Sequence, residues 1–196
     1  MHGLSTMRSS DGAVWTFDPG ALSAEFLLLG GPDELAVWDT LRTPQDLADW
    51  AGRCSLAVAP VAVDGTALAG ARALRDALWR AFRARMAGGR IPDADLATIN
   101  AAAAVPPLAP VLDGAERSLW QQPATGAQVV ADVARDAVRV LGGPLADRIR
   151  ECAADDCALV FVDTSRTGAR RWCSMQRCGN RSKVRASRQR GREDSA

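Results

Sequence analysis

Four of the five cysteines fall between residues 152 and 178, as Cys152-x4-Cys157, fifteen intervening residues, then Cys173-x4-Cys178. No other feature restricts the folding of this chain as tightly. Two close pairs separated by a hairpin-length insert can bring four sulfurs to one point, and zinc takes four soft thiolate donors in a tetrahedron. Within the insert, residues 158–162 read as a strand, 165–168 as a turn and 169–172 as the returning strand. That is the plan of a zinc ribbon or treble clef.

Two disulfides, a redox pair or buried free thiols are the competing readings. Disulfides are disfavoured in a chain without a recognisable secretion signal, and the redox motif Cys-x-x-Cys is absent. Four thiolates leave no open position for a catalytic water, so one structural Zn2+ is expected on Cys152, Cys157, Cys173 and Cys178. Cys54 stands alone and reads as a small buried hydrophobe. The segment around the four cysteines has few large apolar residues, with Phe161 and Trp172 as its expected mini-core. Metal binding would then supply much of its folding free energy, on the order of 10 kcal/mol in small zinc peptides.

Charge is distributed unevenly. Residues 1–165 hold 14 Arg and 21 Asp or Glu, whereas residues 166–196 hold ten Arg or Lys and two acidic residues. No acidic residue lies between Arg166 and Arg192. An acidic body with a basic end suits a protein whose end meets phosphate, although a solvated basic tail has the same composition. After Cys178-Gly179, Asn180 reads as the N-cap of a helix with no further Gly or Pro until Gly191. Helical spacing puts Arg181, Arg185, Arg188 and Arg192 on one side, with Lys183 and Arg190 opposite. Arg170 and Arg171, on the expected return strand, would join them. The candidate nucleic-acid contacts are therefore Arg170, Arg171, Arg181, Lys183, Arg185, Arg188 and Arg190.

The chain as a whole is 47% hydrophobic and can bury a real core. Residues 13–17 and 22–29 read as a β-hairpin about Pro19-Gly20, and Asp33 as the cap of a short helix. Thr43-Pro44-Gln45-Asp46 carries a helix start, with Leu47, Trp50 and Ala51 on the buried face. Residues 66–86 form the clearest helix, its Arg72, Arg75, Arg80 and Arg83 read as a solvated face. Further helices are expected from Pro92 to Asn100, from Gly126 to Leu141 with Val138 inward, and from Pro144 up to Cys152. A hairpin is expected about Asp113-Gly114. Trp15, Trp38, Trp50, Trp79 and Trp120 read as core or half-buried side chains. The expected class is α+β: a mixed helical body with a small antiparallel sheet over 1–144, then a four-cysteine module over 145–196.

At Arg171-Trp172-Cys173-Ser174-Met175-Gln176-Arg177-Cys178-Gly179-Asn180-Arg181-Ser182-Lys183 the chain resembles the CGNR zinc-finger proteins, and the upstream half of that motif is matched by Cys152, Cys157 and the run from Phe161 to Arg171. The resemblance implies four zinc-ligating cysteines in a DNA-binding module. The body resembles the ABATE domain, through Leu41-Arg42-Thr43-Pro44-Gln45-Asp46-Leu47, although an expected Asn-Thr pair is replaced within Ala24–Leu29. That domain implies stress-induced transcription regulation.

Together these observations lead to a DNA-binding regulator, with DNA, a second copy of the chain and a small-molecule effector as expected partners. A zinc-stabilised protein- or RNA-interaction module is the alternative. A single histidine at position 2 and no tyrosine leave few proton-transfer groups, and no spacing singles out a pair among carboxylates such as Asp18, Glu25 and Asp39, so no enzyme is expected. No run approaches the ~20 apolar residues of a membrane span, which makes a cytoplasmic address the expectation.

Overall fold

The structure is a computed structural model that describes residues 4–9 and 12–185. Five α-helices make the body: α1 (Leu22–Phe26), α2 (Pro44–Arg53), α3 (Gly65–Met86), α4 (Asp93–Ala104) and α5 (Gly126–Gly142). α3, α4 and α5 pack against one another, with α1 set between α5 and the cysteine-bearing segment. The fold is α+β, but its strands form four separate pairs rather than one sheet under the helices. β1 (Ser5–Arg8) pairs with β2 (Val14–Phe17), β4 (Pro110–Leu112) with β5 (Ser118–Trp120), and β7 (Ile149–Glu151) with β8 (Val160–Val162), all antiparallel. β3 (Val61–Ala62) and β6 (Ala124–Thr125) form a short parallel pair.

Local chemistry explains the starts of α2, α3 and α5. Thr43 accepts from the Asp46 N–H while the Asp46 carboxylate accepts from the Thr43 N–H, closing a capping box on α2 with Pro44 in the first turn. Thr125 and Gln128 repeat this reciprocal bonding on α5. Asp64 accepts from the Ala67 N–H and caps α3. The predicted inward face of α2, Leu47, Trp50 and Ala51, is buried as expected. α3 buries Leu68, Ala71, Leu74, Leu78 and Phe82, and Phe26 meets Trp50 edge-on at 4.9 Å.

Several expectations are corrected. Residues 22–29 are helical, not a strand, and β2 turns back onto β1 instead. All five residues of α1 are buried, so its apolar run carries no amphipathic period to separate helix from strand. Asp33–Trp38 is a 3-10 helix that follows Pro32, with Asp33 itself at φ 54° rather than serving as its cap. Val138 is 43% exposed, and Val140 takes the inward position. Pro144 opens no helix; a 3-10 turn, Ala146–Arg148, leads into β7. Trp38 is 58% exposed rather than packed.

The arginines of α3 are not an idle solvated face. Arg75 is 3% exposed and donates to the Asp39 carboxylate at 2.9 Å, to Asp76 at 3.0 Å and to the Leu29 carbonyl at 3.3 Å. Arg80 grips Asp95 of α4 through both its Nε and Nη2, and Arg72 holds the carbonyls of Leu41 and Arg42. These guanidiniums bind the loops before α2, and α4 itself, to α3. A paired guanidinium can be buried where an unpaired one cannot.

Two apolar cores result. The larger runs through α1–α5 and includes Ile149, Val160 and Val162; the smaller contains Phe17, Cys152, Ala154, Phe161, Cys173 and Cys178. Strand alternation on β8 sends Val160 and Val162 to the first and Phe161 to the second.

Candidate metal centre and basic surface

β7 and β8 deliver the first cysteine pair. Their ladder continues past β7, where the Cys152 N–H donates to the Leu159 carbonyl at 2.9 Å, and the chain between them curls so that the Cys157 N–H reaches the Ala154 carbonyl at 3.0 Å. The expected return strand 169–172 does not form, because β8 has β7 as its partner. A loop takes its place, organised by buried Asp163. The Asp163 carboxylate accepts from the N–H groups of Ser165 and Arg170, at 2.9 and 2.8 Å. Burial works against its ionisation, but those hydrogen bonds and the nearby Arg148 charge outweigh it and hold its pKa below the usual carboxylate range.

Arg170, proposed from sequence as a nucleic-acid contact, is turned inward. It donates to the carbonyls of Asp18, Trp172 and Cys173, and its guanidinium lies 4.1 Å from the Phe161 ring centroid. Its donors fasten the second cysteine pair to the N-terminal segment. Cys173 then precedes a helix that begins earlier than expected. Met175–Gly179 is a π-helical turn continuing as α-helix over 180–185, so Asn180 lies inside the helix and donates its side-chain amide to the Gln176 carbonyl. Gly179 is buried against Met175: a Cβ there would fall 2.8 Å from the Met175 sulfur.

The four sulfurs converge. Their Sγ atoms all lie within 4.8 Å of one another, with Cys157–Cys173 at 3.8 Å and Cys173–Cys178 at 3.5 Å. A tetrahedral ion with Zn–S bonds of about 2.3 Å requires sulfurs about 3.8 Å apart, which these positions fit. Among the described residues no other group of three or more His, Cys, Asp or Glu side chains could share an ion. The Cys173 N–H also donates to the Cys152 sulfur at 3.4 Å, as an outer hydrogen bond to a thiolate should.

The electrostatics point the same way. Hydrogen bonds from the Cys157 and Cys173 thiols drive Cys152 down to about 2, so that one sulfur keeps its charge. Cys157 is pushed up to about 12 chiefly by its bond to Cys152, and Cys173 is pushed up for the same reason. Burial raises Cys178. Four adjacent thiolates repel one another; a divalent cation at their centre removes the conflict. Cys54, by contrast, is buried in the body with its thiol donating to the Ala51 carbonyl, and desolvation pushes it up to about 12.

The basic side chains divide into distinct groups. Arg181 and Arg185 share a face, as their spacing implies, and both reach Asp156 in the first cysteine loop; Arg185 also approaches Asp155. Partial burial opposes ionisation of Asp156, but the Arg185 hydrogen bond and both positive charges lower its pKa. Sequence proximity could not reveal Asp156, which lies 25 residues upstream of Arg181 and 29 upstream of Arg185. Lys183 is exposed, Arg171 lies 5.2 Å from the Trp172 ring centroid, and Arg177 lies 4.7 Å from that of Trp15. Arg188 and Arg190, with Arg192, lie outside the described residues.

The N-terminal hairpin is the component that sequence reasoning missed. Phe17 is wholly buried in the cysteine core, with Met7 and Trp15 against it. At Gly20, φ is 75°, and a Cβ would lie 2.0 Å from the Val162 carbonyl oxygen. Pro19-Gly20, visible as a turn, is thus the point where backbone meets β8, and the Pro19 carbonyl accepts from the Val162 N–H.

Comparison with known proteins agrees with this architecture. The model of the ABATE family, described as "Putative stress-induced transcription regulator", matches residues 20–144, and the CGNR zinc-finger model matches 148–191. A search of the curated proteins finds no match. None of the described helices is long and apolar enough to cross a membrane. With four cysteines placed to hold a zinc ion behind a body of this type, the chain belongs to the ABATE family and carries a CGNR zinc finger.

Proposed function

We propose that the chain is a non-catalytic DNA-binding regulator whose zinc module presents Arg181, Lys183 and Arg185 to the phosphates of duplex DNA. Arg171 extends this surface; in sequence Arg188 continues the spacing of Arg181 and Arg185, and Arg190 that of Lys183. The observation that carries the reading is the placement of Cys178 in the first turn of the helix that bears Arg181 and Arg185. A metal-fixed first turn gives guanidiniums a rigid mount, and planar guanidiniums match phosphate oxygens in pairs. The ABATE body would supply the regulatory input, through a small-molecule effector or pairing with a second copy.

Asp155 and Asp156 already occupy two of these arginines, so an acidic protein segment could use the same chemistry in the alternative role. A titration of labelled duplex by anisotropy at several salt concentrations separates the two. Binding should weaken steeply with salt, and Arg181→Ala with Arg185→Ala should flatten the log–log slope by about one per lost phosphate contact. Absence of salt-sensitive duplex binding would overturn the DNA reading.

A further inference from the structure

Beside the metal centre, between the N-terminal hairpin and the Asp163 loop, lies a cleft of about 570 Å³. From this cleft, and resting on the DNA reading above, we infer a second mode of contact: it receives one unpaired nucleotide of the bound DNA. The volume falls within the range of small-ligand sites, roughly 300–1,000 Å³, and exceeds what a bare phosphate needs.

Its lining combines the surfaces a nucleotide requires. Trp172, Met175 and Leu4 supply apolar walls, and Met175 and Leu4 are largely exposed rather than consumed by packing. Bases stack on aromatic rings and on guanidinium planes whatever their sequence. Arg171, in the same wall, lies over Trp172 and has no carboxylate partner among the described residues, in contrast to Arg181 and Arg185. It therefore keeps its charge available for a phosphate. Thr167 and Ser174 add hydroxyls suited to sugar or phosphate oxygens.

Asp18 is the one acidic group in the lining and would repel a phosphate placed against it. One of its oxygens accepts from the Gly20 N–H at 2.8 Å. Its remaining oxygen suits the exocyclic amine of cytosine, adenine or guanine, which thymine lacks. The wall is also pre-formed: Asp163 binds the N–H groups of Ser165 and Arg170, while Arg148 donates to the Ser165 carbonyl at 2.7 Å. A nucleotide entering it pays little for ordering the loop.

Full-length, zinc-loaded protein is titrated against two labelled duplexes at constant salt, identical except that one carries a single unpaired cytosine. The bulged duplex should bind about tenfold more tightly, as the stacking of one base allows, and an unpaired thymine should give a smaller advantage. Ala169→Trp, which fills the cleft from an exposed position, should abolish the preference while changing affinity for the paired duplex less than about twofold. Zinc content reports whether that variant folds; if it does not, Arg171→Gln must reduce the preference instead. Equal wild-type affinity for the paired and bulged duplexes overturns the cleft while leaving phosphate binding by the helix intact. Failure to bind either duplex overturns both.

Discussion

Arg181 and Arg185 meet Asp156 before they can meet anything else, and the energy of that contact decides how it behaves. Exposed ion pairs contribute about 0–1 kcal/mol each, so polyanionic DNA can displace the carboxylate, though not freely. Asp156→Asn should therefore raise duplex affinity about two- to fivefold at low salt, an effect that fades as salt rises. A titration in which the variant binds more weakly would instead assign Asp156 the task of aligning the guanidiniums. Individual residues also show where sequence reading reaches its limit. Arg75 follows the charged pattern of its helix, yet is buried because Asp39, 36 residues away, neutralises it. Arg170 sits in a basic run but donates inward to three carbonyls. Asp39 for Arg75, and the Asp18 carbonyl and Phe161 ring for Arg170, are partners that helical or strand spacing does not record.

Among elements, those with local signals were legible. The helix start at Thr43-Pro44 and the Asp113-Gly114 hairpin rest on bonds between near neighbours in sequence, and the cysteine spacing is itself a sequence pattern. Elements decided by tertiary surroundings were not. α1 is enclosed on every side, and its polar Ser23 and Glu25 are satisfied at a distance, by the Asp136 carboxylate and the Ser55 N–H. β8 took β7 as its partner rather than the residues after the turn. The turn before α1 offers a sharp test. Gly20→Ala must place a methyl group against the Val162 carbonyl at a positive φ, so it should cost about 3 kcal/mol in urea unfolding of the zinc-loaded protein. An unchanged midpoint would mean that the hairpin does not sit against β8.

For the whole molecule, the metal and the two cores make distinct predictions. Chelation should loosen the N-terminal hairpin together with the cysteine loops, because Phe17, Trp15 and Phe161 share their core with the ligands. The interior of α3–α5 has its own core and should hold. Hydrogen exchange reads this directly: protection should vanish over β1–β2 and 152–179 and persist over α3 and α5. Uniform loss everywhere would contradict it. The direction with pH also follows. Cys157, Cys173 and Cys178 have raised pKa values without metal, so zinc uptake must expel their protons, and acidification should favour release. Chelator competition at stepped pH would show affinity falling as pH drops; a flat profile would contradict that coupling.

Phe161 points one way and its two valine neighbours the other, so a single three-residue strand is the party wall between two rooms. Chelation leaves the larger room standing, so any influence that does cross this wall is small, and thermodynamics requires it to be equal in both directions. Tenants on the two sides of such a wall can be changed one at a time.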